Sequence, residues 1–475
     1  MLLRCFRHLL AFLCFAQMGP AILAKEPSPN FILILADDMG WNDAGFCGNK
    51  FIDTPNLNRL AKSGIVFTEA CSSAPNCAPT RACLLTGQFP PRHGVYTVVD
   101  DRHAPGSPHH KILAAESRES LPTESITLAE ALKPAGYATG MFGMWNLGRG
   151  RSGPTTPTGQ GFDIYREPKD LGFEKDAYRK EGGYTSDSLT DEALKWMDSV
   201  KHQPFFLYLP FHDTHAPFDP KPELLAKYKA RPGVPDAALA ATLEAMDVNV
   251  GRVMDAVVKQ DFAQRTYIIF TSDNGGTRQY VAPLRGGKGT LYQGGVRVPA
   301  VISGPGIKAG ITSTPILSMD YYPTVLELAK VSAPDNHVVD GSSLVPLITG
   351  KKSELVRDVF WHFPCYIGGG GPCSAMRSGD WKLIEFFESS TFELYNLATD
   401  QSETKNLVDS EKEQAARLIE KLHSWQKSTN AACPTTPNPA YDPNANPKRG
   451  REERGKGGDK NRKGEKSETN QPLNK

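Results

Sequence analysis

The sequence predicts an α/β fold: a large, mostly parallel central sheet sandwiched by helices, followed by a small C-terminal α+β subdomain with an antiparallel sheet. Three observations lead there. First, the runs at 30–36 (NFILILA), 204–210 (PFFLYLP), 266–272 (TYIIFTS) and 298–304 (VPAVISG) are apolar almost throughout rather than on alternate residues. Such runs belong to strands buried on both faces, as in parallel sheets covered by helices. Second, helical stretches separate these runs. Thr127 and Glu130 form a capping box before LAEALKPAG, and Gly136 stops that helix. Asp236 opens a longer one that carries Leu243, Met246, Val250, Val253 and Val257 on one stripe. This alternation is that of a layered α/β domain. Third, the texture changes after about residue 352. WKLIEFF at 381–387 and the run at 392–397 read as a hairpin, and a helix follows from about 410 to 428.

The ends of the chain read differently. Arg4 and Arg7, a short apolar run at 9–16, and the small residues Gly19, Pro20, Ala21 and Ala24 make 1–24 a signal peptide. That run is well short of the ~20 residues a membrane span needs. From Pro434 onward the chain is Pro, Asn, Gly and Lys/Arg, with 10 basic and 6 acidic residues and too few hydrophobes to fold. The expected division is therefore a signal peptide at 1–24, a main domain at 28–352, the α+β subdomain at 353–430 and a disordered basic tail at 434–475. The product is expected to be secreted or periplasmic, with no membrane span. The 54 basic and 53 acidic residues nearly cancel, which argues against a nucleic-acid partner.

Nine cysteines are present, and Cys5 and Cys14 fall within the signal peptide. Of the seven others, Cys47, Cys71, Cys83, Cys365, Cys373 and Cys433 make an even set once Cys77 is set aside, compatible with disulfides outside the cytosol. Cys365 and Cys373 flank a Gly-rich loop and are the first pair expected.

Cys77 is set aside because of its surroundings. In Asn76-Cys77-Ala78-Pro79-Thr80-Arg81-Ala82-Cys83-Leu84-Leu85-Thr86-Gly87, Pro79 marks a helix start and Gly87 a stop. Cys77 is thereby expected just before a helix N-terminus, a location that favours anions. Cys-x-Pro-Thr-Arg in this setting resembles the signature of the formylglycine-dependent (type I) sulfatases of the alkaline-phosphatase-like superfamily, and the resemblance extends over most of residues 28–430. It implies that the 28–352 domain is catalytic. It also implies that a formylglycine-generating enzyme oxidises Cys77 to 3-oxoalanine (formylglycine), whose hydrate attacks sulfur and later expels sulfate.

Asp37 and Asp38 follow the first strand run, and Asp273 and Asn274 follow a later one, at the edge where open α/β sheets bind ligands. Three carboxylates and an amide oxygen suit a hard divalent cation. The resemblance makes it one Ca²⁺ per chain, with residue 77 completing the set. It further implies that His215 protonates the departing oxygen, that Lys288 in Leu-Arg-Gly-Gly-Lys-Gly-Thr holds the sulfate, and that Arg81 steadies nucleophile and metal. His93 and His362, the latter within Trp361-His362-Phe363-Pro364, are expected as substrate contacts, with His109 and His110 as further loop histidines.

One motif departs from the family. Where relatives show Gly-Lys-Trp-His-Leu-Gly, this chain has Gly143-Met144-Trp145-Asn146-Leu147-Gly148. Met144 donates no hydrogen bond, and Asn146, expected at the substrate, donates but does not titrate near neutrality. Gln88 and Gln293 replace the Arg and Glu common in relatives. The sequence therefore supports a sulfatase acting on a sulfated carbohydrate or other sulfate ester. A catalytically impaired binder of sulfated glycans and a phosphoester or phosphonoester hydrolase of the same superfamily stay open.

Overall fold

In the computed structural model, which describes residues 28–98, 107–148, 150, 152–174, 179–180, 183–277, 280–367 and 369–445, the run NFILILA forms strand β1 (Asn30–Ala36), buried along its whole length. Its residues divide between two cores. Phe31, Leu33 and Leu35 join one hydrophobic cluster, and Ile32, Ile34 and Ala36 join the other. A strand with apolar partners on both sides has no use for alternation, which is why the run reads as continuous.

Seven further strands complete the sheet: β2 (Gly64–Phe67), β3 (Ala138–Phe142), β4 (Ile164–Arg166), β5 (Phe205–Pro210), β6 (Thr266–Ser272), β7 (Ala300–Ser303) and β8 (Gly310–Thr312). Their order is β8-β2-β7-β6-β1-β5-β3-β4. All pairings are parallel except those of β7, which runs against β6 and β2. The expected sandwich around a mostly parallel sheet is thus the observed one. Helix Ala237–Lys259 begins with Asp236, whose carboxylate accepts the N–H groups of Ala238 and Leu239, and lays Leu243, Met246, Val250 and Val253 on one face of the sheet. The other face is covered by helices Cys77–Thr86, Leu128–Leu132 and Tyr321–Ala329. Thr127 and Glu130 form the expected capping box.

The C-terminal sheet has four consecutive antiparallel strands, β9 (Asp358–Phe363), β10 (Cys373–Ser378), β11 (Trp381–Phe386) and β12 (Thr391–Asn396). Helix Lys412–Ser428 packs Leu418, Leu422 and Trp425 on its Met376, Leu383 and Leu394. The opposite side of this sheet grips the loop that precedes β7. Arg285 donates to the Tyr395 hydroxyl at 2.7 Å and to the Glu403 carbonyl at 3.1 Å. Tyr292 donates to Glu393 at 2.6 Å, and the Gln293 N–H donates to the Glu403 carboxylate at 2.5 Å.

Glu403 also pairs with the Lys382 ammonium at 2.7 Å, and both side chains are fully buried. Removing one member of a buried pair leaves an uncompensated charge and costs about 3–5 kcal/mol. Lys382→Met is therefore expected to lower unfolding free energy by about that amount in urea titrations. Lys382→Met with Glu403→Gln, which keeps an acceptor for Gln293, should recover most of the loss.

Two expectations are corrected. The stretch just after residue 434, expected to be disordered, is attached: Leu113 N–H donates to Thr436 O at 2.9 Å, and the Asn438 side chain donates to the Ser107 and His110 carbonyls at 2.9 and 2.8 Å. Asn438 meets the needs of carbonyls on 107–110 that have no strand partner, an attachment composition does not reveal. Residues 1–27, which include the expected signal peptide, and residues 446–475 lie outside the described residues. Cys365 and Cys373, moreover, are not bonded. All seven cysteines among the described residues are free thiols, and both of these are buried in one apolar cluster.

Candidate active site

β1 and β6 lie side by side with Ala36 opposite Ser272. The residues that follow each strand, Asp37-Asp38 and Asp273-Asn274, therefore meet at the carboxyl edge of the sheet, the ligand-binding edge of open α/β folds. Asp38 turns the chain with φ 64°, and its N–H donates to Asp273 Oδ1 at 3.2 Å. The Asn274 amide donates to Asp38 Oδ1 at 2.8 Å.

Cys77 is the first residue of the helix rather than the one before it; Asn76 is the cap. The whole helix is buried, and free N–H groups at its start favour negative charge. Cys77 Sγ lies 3.4 Å from Asp37 Oδ1 and 3.2 Å from Lys288 Nζ. Arg81, four residues on and thus on the same helical face, has a fully buried guanidinium. It donates to Asp37 Oδ2 at 3.0 Å, to Asp273 Oδ2 at 3.1 and 2.9 Å, and to the Met144 carbonyl. Lys288 Nζ is 2.7 Å from Asp38. Its loop needs glycine beside it: Gly289 has φ 90°, and a Cβ there would sit 2.4 Å from Ile367 O.

The ligand atoms of Asp37, Asp38, Cys77 and Asp273 all lie within 4.8 Å of one another. Three buried carboxylates here face two cations, Arg81 and Lys288. Burial pushes the Asp273 carboxyl up to about 7, with the Asp37 charge adding to it. Burial works the same way on Asp37, but His212 and Arg81 prevail and hold it well below the usual carboxylate range. Burial and the Asp37 charge drive the Cys77 thiol well above its ordinary value. Asn274 Oδ1 is buried with no partner. An excess of negative charge and an orphaned oxygen fit a divalent cation bound by Asp37, Asp38, Asp273 and Asn274.

His215 stands at the rim, its side chain 33 % exposed, with Nε2 3.8 Å from Asp38 Oδ2. Burial holds it below the usual histidine range. The altered motif is also here. Gly143 has φ 144°, and a Cβ on it would lie 2.1 Å from Pro210 O, so glycine alone makes the turn that carries the Met144 carbonyl to Arg81. Asn146 is half-buried with φ 57°.

Two expected contacts are not at the cluster. His93 is fully buried, Nε2 3.4 Å from Cys83 Sγ and Nδ1 accepting from Val95 N–H at 3.1 Å. His362 is buried on β9, its ring held by Ser374 Oγ at 2.7 Å and Ala432 O at 3.0 Å. Their ring nitrogens are engaged by the protein, so neither is carried forward as a substrate contact. Conversely, His212 was not anticipated. Its Nδ1 lies 2.6 Å from Asp37 Oδ2, and the only sequence signal is its place three residues before His215.

A buried cysteine at a helix N-terminus, beside a cluster of three carboxylates at the ligand-binding edge of the sheet, marks this as the candidate active site. Comparison with known proteins gives the class. The Sulfatase family model matches residues 29–331, and that of the N-sulphoglucosamine sulphohydrolase C-terminal region matches 287–430. A sulfatase of Formosa agariphila is 32 % identical, covering 87 % of this chain and 93 % of that protein. The N-acetylgalactosamine-6-sulfatase of Homo sapiens is 34 % identical, covering 71 % of this chain and 69 % of that one. The crystal structure of Ps i-CgsB in complex with k-i-k-neocarrahexaose superposes with a TM-score of 0.72 at 27 % identity, covering 93 % of this chain and 100 % of that one. The chain belongs to the sulfatase family, the sulfuric ester hydrolases of the alkaline-phosphatase-like superfamily.

Proposed function

We propose that the protein is an exported, calcium-dependent sulfatase that hydrolyses sulfate esters of a sulfated carbohydrate through formylglycine at position 77. The observation that carries this reading is the seat of Cys77, its sulfur between Asp37 Oδ1 and Lys288 Nζ at the mouth of the acidic cluster. That sulfur stands in for the oxygens of a hydrated aldehyde. Formylglycine supplies two hydroxyls on one carbon, one to attack sulfur and one whose proton loss releases sulfate. Calcium held by Asp37, Asp38, Asp273 and Asn274 would acidify the attacking hydroxyl and offset the charge of the ester.

The side chains around it do the rest. Lys288, beside the nucleophile, grips sulfate oxygens. Arg81 fixes Asp37 and Asp273 so that their remaining oxygens face the cation. His215, at the rim where an alcohol would depart, donates the proton it needs. The carbohydrate assignment draws on the ligand of Ps i-CgsB and the name of the N-acetylgalactosamine-6-sulfatase.

After co-expression with a formylglycine-generating enzyme, mass spectrometry across residue 77 is expected to find the aldehyde, and a panel of sulfated sugars to yield free sulfate. An intact Cys77 thiol, with sugars bound but not hydrolysed, would move the assignment to a glycan-binding protein, a reading that Met144 and Asn146 favour. Release of phosphate or phosphonate with none of sulfate would move it to a phosphoester or phosphonoester hydrolase.

A further inference from the structure

The turn from His212 to His215 is fastened to the site at several points. The His215 N–H donates to the His212 carbonyl at 3.1 Å, which turns the two rings to one side, where they stack with centroids 4.5 Å apart and planes at 20°. The Thr214 hydroxyl donates to the Asp37 carbonyl oxygen. Behind the turn, buried Asp213 accepts from Ser186 Oγ at 2.6 Å, and that hydroxyl accepts from the Asn249 amide at 3.2 Å. The His212 ring, only 13 % exposed, then reaches Asp37 Oδ2 at 2.6 Å.

We infer that His212 is a positioning residue that couples the cation site to the leaving-group acid. A carboxylate that serves as a cation ligand can only accept, so in that role the 2.6 Å contact takes its hydrogen from His212 Nδ1. With Arg81 on the same oxygen at 3.0 Å, Asp37 Oδ2 is fully engaged. The carboxylate is locked with Oδ1 turned toward Cys77, where it would face the proposed cation. Outer-shell donors of this kind hold a ligand in its binding rotamer. The face of the same ring sets the plane of His215. One side chain thereby fixes two groups with different tasks, and the two tasks separate by chemistry: the donor serves calcium, the ring serves proton transfer.

The inference rests on the proposed calcium site, and the test distinguishes the failure of one from that of the other. Calcium affinity is measured by calorimetry on the matured full chain, and hydrolysis is compared between a nitrophenyl sulfate, whose leaving group needs no proton, and an alkyl sulfate, whose leaving group does. In His212→Asn, Nδ2 occupies the place of Nδ1. This variant should bind calcium within about threefold of the parent but lose about tenfold in the rate of the first alcohol release, the burst, on the alkyl ester alone. His212→Phe keeps the ring and loses the donor. It should bind calcium about 10–100-fold more weakly with the parent's ratio between the two esters. His212→Leu is a second donor-less variant, so a folding defect peculiar to phenylalanine leaves the comparison intact. Equal calcium affinity in all variants, or equal losses on both esters in His212→Asn, overturns the inference. Absence of calcium binding by the unaltered chain overturns the calcium site itself, and this inference with it.

Discussion

Replacing Asp273 by Asn is expected to remove calcium from the protein and to lower sulfate-ester hydrolysis by at least about 10³-fold, the upper range for loss of one preorganised electrostatic group. The choice of Asn follows from the geometry. Asp273 bonds the buried Arg81 twice and also accepts the Asp38 N–H. Alanine at 273 would strip these bonds and leave Arg81 with Asp37 as its one carboxylate partner among the described residues, so lost activity would be confounded with the cost of a broken buried ion pair. Asparagine keeps the shape and an acceptor while removing the charge. Metal analysis with calorimetry is the decisive measurement. A variant that retained stoichiometric calcium would take Asp273 out of the ligand set, whatever its activity.

The second large effect is a gain. Met144→Lys together with Asn146→His is expected to raise turnover of ordinary sulfate esters by about 10²–10³-fold. Under the proposed mechanism, Lys288 and His215 serve the attack on sulfur in the unaltered chain, but neither Met144 nor Asn146 takes the proton whose loss releases sulfate. The unaltered enzyme should therefore free one alcohol per active site quickly and then turn over slowly, a burst that stopped-flow absorbance resolves. The surroundings accept both changes. Arg81 holds position 144 through its backbone carbonyl, which a new side chain does not disturb. The positive φ of 57° at position 146 is a conformation that histidine, like asparagine, visits more than most residues. Steady release without a burst, and no gain in the double variant, would show that another group or the substrate itself performs the second step.

Much of this was legible in the sequence, for physical reasons that differ from element to element. β1, β5 and β6 are buried on both faces, so their composition declares them, and the polar residues at their ends mark the site edge. β2 has four residues, and β9 carries Asp358 and His362 among aromatics, so neither presents a clean period. Cys77, Arg81, Asp37, Asp38, Asp273, Asn274, Lys288 and His215 meet as expected because strand ends and a helix start converge at one sheet edge. Histidines were the weak point. His93 and His362 have the chemistry of ligands but lie buried with the protein as partner, whereas His212 acts through a fold in the loop that no spacing rule describes.

The grip of the C-terminal sheet on Arg285, Tyr292 and Gln293 bears on how this chain can be cut and recombined. A protein ending near residue 352 would retain Asp37, Cys77, Asp273 and even Lys288, yet Lys288 would ride on a loop stripped of its restraints from Glu393, Tyr395 and Glu403. The small sheet is thus no detachable appendage: any chimera that imports another sulfatase's C-terminal third must import a matching 285–293 segment, and the workable seam lies upstream of that loop rather than between the two sheets.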